Sequence, residues 1–307
     1  MYQRNCSPLD LDGEPMPIEA FGDLYHVPGF KYEYAAGRAD ISVQRSAYAV
    51  VAAPARRILT HTEPPVPEGV EVEPAADTPV EPLESLWVNA FARTPDYYGW
   101  AVSDIRDDAQ ESLAALPEGP RSLHQASLVA RWKGDHVAAL LVNQDKTRPL
   151  IDVLCVRRDL RRRGLAEALA HRVAHRLEET AEGGADPVLC SGYLLANRQS
   201  AAWHKLAGFI ELPDWLVRTH RYRCLRHNLQ RGLVEDPFWA RRRAQRLQAD
   251  LNEMKEKRRE DPRAYAPSQW LVPREEGSGE GKEGTGGDRI ESYLDAHVEW
   301  VEGLEPV

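Results

Sequence analysis

The chain has 307 residues, of which 42% are apolar, and a net charge of -9. That composition supports a real hydrophobic core, and its acidity excludes non-specific nucleic-acid binding as the main task, because neutralising phosphates needs a basic surface. No apolar run approaches the ~20 residues that span a bilayer, and no basic stretch followed by an apolar one marks a leader.

Residues 1–62 read as a β-rich segment. Lys31–Tyr34 and Ala39–Val43 flank a turn at Ala36–Gly37, and Ala47–Ala53 is a further strand. Residues 63–82 are rich in proline and glutamate, which forbids helix and disfavours a central strand, so a linker or an extended surface segment is expected. From Leu83 to about residue 230 the pattern is mixed α/β. Leu83–Ala92 and Ser103–Leu116 suggest helices, and Ala126–Trp132 with His136–Val142 suggests a hairpin around Lys133–Gly134–Asp135.

Leu150–Val156 reads as a strand that runs into a loop of arginines. A helix follows from about Gly164 to Ala181, with Leu165, Leu169, Val173 and Leu177 on one face. Pro187–Leu195 is the next strand, Arg198–Ala207 a short helix, and Trp215–Arg226 a final strand by its alternation. Residues 231–272 form a charged helical extension. Its helix runs from Pro237 to about Glu260, with Ala240, Ala244, Leu247, Leu251 and Met254 at heptad spacing. That stripe covers about two heptads, fewer than a coiled coil needs, so it suits docking on the chain's own domain and leaves a homodimer as the alternative. Residues 273–307 hold a glycine-rich linker at Gly277–Gly287 and a short helix over Arg289–Val301.

Cys6, Cys155, Cys190 and Cys224 form no CxxC pair and have no histidine at metal-ligand spacing. They read as packed, reduced thiols of a cytoplasmic protein that uses no metal. Charge is uneven. Arg157, Arg158, Arg161, Arg162 and Arg163 form one basic cluster, and Arg241, Arg242, Arg243 and Arg246 form another, read as a solvated helix face.

The first cluster carries the chemistry. Strand, basic glycine turn, long helix and second strand make a βαβ unit, whose strands are parallel with a right-handed crossover. The turn falls at the helix N-terminus, where unpaired N–H groups and the positive end of the helix dipole favour a phosphate. Gly164 lets the backbone approach a bulky anion. The spacing is neither a Walker loop nor a GxGxxG turn.

Arg161-x-x-Gly164-x-Ala166 resembles the acyl-CoA signature of the GNAT acetyltransferase superfamily, [Q/R]xxGx[G/A]. Asn197, Ser200, Trp203, Gly208 and Phe209 resemble that family's next segment, where an Asn starts a helix and Gly-Phe ends it. The likeness runs from about Leu83 to Arg226. It implies a mixed, mostly antiparallel central sheet with a parallel βαβ cofactor unit and flanking helices. It also implies acetyl-CoA as co-substrate, an amine acceptor, and direct transfer between them.

Residue by residue, the resemblance implies main-chain contacts to pantetheine and the thioester from Leu154, Cys155 and Val156. The pyrophosphate falls to Arg161, Arg162, Arg163, Gly164, Leu165 and Ala166, and a further pantetheine contact to Asn197. Asp152, the one carboxylate of the signature strand, is the candidate base, placed by alternation on the face of Leu150, Leu154 and Val156. His204 stands where many members carry the tyrosine that protonates the leaving thiolate, and an imidazole suits proton exchange near neutrality. Phe91, Asp96, Tyr97, Tyr98 and Trp100 could line an acceptor pocket or pack as core. A covalent route through Cys155 is disfavoured, since no histidine lies near it in sequence. The reading from another class is a non-catalytic acyl-CoA sensor or scaffold.

Overall fold

In the computed structural model, residues 16–17, 24–76, 78–114, 122–123, 125–144, 148–181, 186–262 and 264–265 are described. The expected Gly277–Gly287 linker and Arg289–Val301 helix lie outside them, as does Cys6. The strands are β1 (Met16–Pro17), β2 (Phe30–Ala35), β3 (Arg38–Val43), β4 (Tyr48–Pro54), β5 (Val70–Pro74), β6 (Ser122–Leu123), β7 (Leu128–Trp132), β8 (Asp135–Gln144), β9 (Pro149–Val156), β10 (Val188–Leu194) and β11 (Ile210–Glu211). The helices are α1 (Ala55–Leu59), α2 (Val80–Phe91), α3 (Val102–Ala114), α4 (Leu165–Thr180), α5 (Arg198–Leu206), α6 (Trp215–Gln230) and α7 (Pro237–Glu260).

The central sheet runs β11-β4-β10-β9-β8-β7-β5, with β6 beside β8. Among the described residues its one parallel pair is β9 with β10, and every other pairing is antiparallel. β1, β3 and β2 make a small separate sheet.

β4 belongs to the segment read as a separate β-rich start, yet it lies between β10 and β11. Its run Ala49–Ala53 is buried on both sides, and a continuous apolar strand of that kind needs cover on both faces. The proline-rich stretch likewise holds β5, which among the described residues pairs with β7 alone, at the sheet edge. Edge strands tolerate proline because one side of the ladder is free.

Two cores sandwich the sheet. Leu165, Leu169, Val173 and Leu177 of α4 pack with Ala49, Val51, Leu140 and Leu189 on one face. Leu83, Leu86 and Trp87 of α2 and Ile105 and Ala109 of α3 pack with Val129, Leu141, Val153 and Cys155 on the other.

Trp215–Arg226 is helical, contrary to the strand its alternation suggests. Asp214 is buried and its carboxylate accepts from the Val217 N–H at 2.8 Å, capping a helix start. Val217, Cys224 and Asn228 then fall on one buried helical face. Its basic positions find partners in the helical spacing, Arg221 with Glu211 and Arg218 with Asp250 of α7. α7 starts at Pro237 behind an Asp236 cap and buries Leu247, Leu251 and Met254. It packs on α6 of its own chain, as its short stripe suggests. Among the described residues no helix is long and apolar enough to cross a membrane.

Candidate active site

β9 and β10 share a single registered pair, Leu150 with Cys190. Beyond it each strand stays with its outer neighbour. β10 follows β4 as far as Leu194 opposite Tyr48, and β9 follows β8 as far as Val156 opposite Ala138. The two strands therefore part, and the inner edge of β9 beyond Leu150 faces a split with no ladder partner among the described residues. Unpaired backbone groups there are available to a ligand.

Leu154, Cys155 and Val156 lie along this edge. The Val156 carbonyl is already used, since Arg161 Nε donates to it at 3.2 Å. The Cys155 thiol is buried and pushed up to about 12, chiefly by that burial, which removes it as a nucleophile near neutrality.

The turn beyond β9 leads into α4. Arg162 and Gly164 both take left-handed backbone, at φ 59° and 77°. Gly164 is the N-cap and offers no side-chain hydrogen bond, so the first-turn N–H groups of α4 carry no side-chain cap. Such a nest of amides at a helix start binds anions. Arg162 and Arg163 are exposed, while Arg161 turns inward and also donates to the Ala90 carbonyl at the end of α2. Arg161 thus ties α2 to the end of β9. What it can offer a phosphate is its main chain.

A Cβ on Gly164 would stand 3.0 Å from the Pro64 side chain. The segment carrying Pro64 is held beside the turn by Glu63, which accepts from Arg172 Nε at 2.7 Å. The space at the turn is therefore narrow, and a bare glycine keeps it open.

Asp152 sits in a bulge. Val142 pairs with Ile151 and Leu141 with Val153, so Asp152 is the extra residue, and it is exposed. The bulge breaks the alternation. Leu154 and Val156 pack toward the α4 side with Ile151, whereas Val153 and Cys155 pack under α2 and α3. The face shared by Leu150, Asp152, Leu154 and Val156 that alternation implies does not form.

His204 lies inside. It is 4% exposed, with rings of Tyr193, Trp203 and Phe209 around it. Its Nδ1 is 2.8 Å from the Ser200 carbonyl and its Nε2 2.8 Å from Ser191 Oγ. A carbonyl only accepts, so Nδ1 carries the proton and Nε2 accepts from the serine hydroxyl. Burial lowers its pKa to about 4. The one proton of this neutral ring is held by the Ser200 carbonyl and its other nitrogen by Ser191, so the contacts of His204 are those of a packing residue.

Asn197 caps α5 by accepting from the Ser200 N–H at 3.0 Å, and its amide donates to the Asp96 carboxylate. Tyr97 belongs to the core. Trp87 Nε1 donates to its hydroxyl at 3.0 Å, the hydroxyl donates to Asp108, and the ring packs against Phe91. Trp100 is 39% exposed with the Arg45 guanidinium over it, and Arg45 also donates to the Asp96 carbonyl. Tyr98 is half-buried. Of the acceptor candidates, Asp96 and Trp100 are thus linked through Arg45, and Asp96 through Asn197.

One residue of the split is invisible to motif reasoning. Tyr48 opens β4, and its ring lies over Gly192 of β10, where a Cβ would meet ring and hydroxyl atoms at 2.3–2.5 Å. It is 40% open to solvent, yet Asp152 and Asp96 both act on its ionisation. It stands in a segment with no signature, so only the sheet order could reveal it. A separate cavity of about 810 Å³ beside α2, lined by Ser85, Asn89, Arg131, His136 and Arg157 among others, shares none of these residues.

No family model and no curated protein matches the chain. Similar solved structures include a tandem GNAT protein from the clavulanic acid biosynthesis pathway, at 15% identity and a TM-score of 0.40 over 53% of this chain and 50% of that one. A GCN5-related N-acetyltransferase from Sphaerobacter thermophilus matches at 20% identity and 0.36, over 54% and 48%. A functionally unknown conserved protein from Staphylococcus epidermidis matches at 11% identity and 0.42, over 54% and 57%. Each likeness spans about half of the similar chain.

Proposed function

We propose that this protein is an N-acetyltransferase that moves an acetyl group from acetyl-CoA directly to a primary amine. The observation that carries the reading is the split between β9 and β10 opening toward the uncapped N-terminus of α4. An unpaired strand edge suits the amide-rich pantetheine arm, and the amides from Arg161 to Ala166 suit the pyrophosphate. Gly164 fits that role, because it takes the left-handed backbone of the turn and a Cβ there would press on Pro64 at 3.0 Å. Arg162 and Arg163 add attraction for a polyanion.

Acetyl-CoA supplies the activated acyl group as a thioester. The free N–H groups of the β9 edge bind its carbonyl and stabilise the oxyanion that forms when the amine attacks. Asp152, exposed beside the split, takes the proton released by the amine. Asp96 is the carboxylate we assign to the acceptor amine, beside Trp100, whose ring already holds the Arg45 guanidinium.

The test is a thermal-shift titration with acetyl-CoA, followed by single-turnover assays with a panel of amines. A ligand that binds only the folded state must raise its melting temperature. Stabilisation by acetyl-CoA with acetyl-amine formation is expected. Absence of both sinks the reading, and binding without transfer to any amine makes the chain an acyl-CoA-binding module instead.

A further inference from the structure

Expulsion of a thiolate from a tetrahedral intermediate is easier when sulfur is protonated as it leaves, and the one proton of the buried His204 ring is held by the Ser200 carbonyl. Resting on the acetyltransferase reading above, we infer that Tyr48, delivered by the N-terminal strand β4, is the catalytic proton donor to the departing thiolate.

Three observations place it. Tyr48 pairs with Leu194, the last residue of β10. Its ring folds back across Gly192, so its hydroxyl stands over β10 two residues beyond the last pair that joins β10 to β9. Gly192 and Asp152 each lie two residues beyond that pair on their own strands, and the Asp152 charge acts on the Tyr48 phenol, so the phenol and the carboxylate flank the split from its two strands. Finally, the hydroxyl makes no hydrogen bond among the described residues. The hydroxyls of Tyr97 and Tyr193 are by contrast committed, to Asp108 and to Glu211.

Gly192 has ordinary backbone and its neighbour is the ring itself. The missing side chain thus serves to seat Tyr48. Although 40% of the residue meets solvent, its ring and hydroxyl lie against Gly192, and that burial, followed by the charges of Asp152 and Asp96, pushes the phenol up to about 12, so it holds its proton throughout the neutral range.

The step balances. The amine nitrogen attacks the thioester carbonyl carbon, a C–N bond forms, and the C–S bond breaks with its electron pair on sulfur. The phenolic proton moves to sulfur and frees CoA as the thiol. Asp152 takes one proton from the ammonium, and that proton returns through solvent to the phenolate.

The experiment uses full-length Tyr48→Phe with two donors, acetyl-CoA and the acetyl thioester of 4-nitrothiophenol, whose far more acidic thiol leaves without help. With acetyl-CoA, kcat is expected to fall about 100-fold or more, as loss of a general acid does, while KM stays within about threefold. With the aryl thioester the loss shrinks to a few-fold. Gly192→Ala, which drives the ring from its seat, is expected to show the same selective loss, and it serves if Tyr48→Phe folds poorly. An unchanged kcat, an equal fall for both donors, or an effect confined to KM overturns the assignment. A wild-type protein inactive toward every amine overturns instead the acetyltransferase reading beneath it.

Discussion

Replacing His204 with Phe separates a packing histidine from a catalytic acid. The imidazole is neutral in the fold, with its pKa lowered to about 4 by burial, against 6.5 for the free side chain. Between those values the unfolded chain binds a proton that the folded one refuses. The contribution is therefore complete above pH 6.5 and is lost as pH falls toward 4. At about 1.4 kcal/mol per pKa unit, the total loss approaches about 3 kcal/mol, and about 2 kcal/mol of it falls between pH 7 and pH 5. Phe cannot titrate, so the variant lacks this component. At pH 7 it also leaves the buried Ser191 hydroxyl without its acceptor, costing about 1–3 kcal/mol. Urea unfolding at pH 7 and pH 5 measures both effects, and NMR of the imidazole Cε1–H follows the titration directly. The expected variant is less stable at pH 7, flatter in its pH dependence, and close to wild type in turnover. Parallel pH dependence in the two proteins, or an imidazole titrating near 6.5, refutes the buried neutral ring. A large selective loss of kcat returns His204 to catalysis.

Two further substitutions probe the binding turn and the N-terminal segment. Gly164→Ala faces left-handed backbone and a 3.0 Å approach to Pro64. It should cost about 1–2 kcal/mol in stability and weaken acetyl-CoA binding at least tenfold by calorimetry, and unaltered affinity removes the pyrophosphate from this turn. His26 is stacked between Tyr32 and His227 at centroid distances of 3.9 and 3.5 Å, and exchanges two hydrogen bonds with Asn228. Burial and the neighbouring His227 lower its pKa to about 4, while Arg231 lies near His227. Neutral His26 is therefore the native form, and acidification from pH 6.5 toward 4 should loosen the contact between residues 24–32 and α6. Hydrogen exchange of the His26 amide, corrected for intrinsic rate, should accelerate over that range and do so less in His26→Phe. Equal behaviour in both proteins discounts the stack.

Much of the βαβ unit was legible in the chain. The Leu165–Leu177 spacing, the glycine ahead of it and the flanking apolar runs are local signals, and α4, β9 and β10 form where those signals lie. Asn197 caps its helix because a cap is satisfied by the next three residues. Alternation misled at Trp215–Arg226, where the Asp214 cap and partners on α7 and β11 outweighed it. It misled again at Asp152, because a bulge is a property of two strands and cannot be read from one.

The sequence by itself determined a phosphate-favouring turn between a strand and an amphipathic helix, since periodicity, glycine placement and charge act within a few residues. Only the tertiary structure decided which side chains meet there. It turned Arg161 inward to hold α2, closed His204 into the core, and brought Tyr48 from more than a hundred residues away to Gly192. Burial and strand order depend on contacts between distant segments. A split between parallel strands exists only once the sheet is assembled.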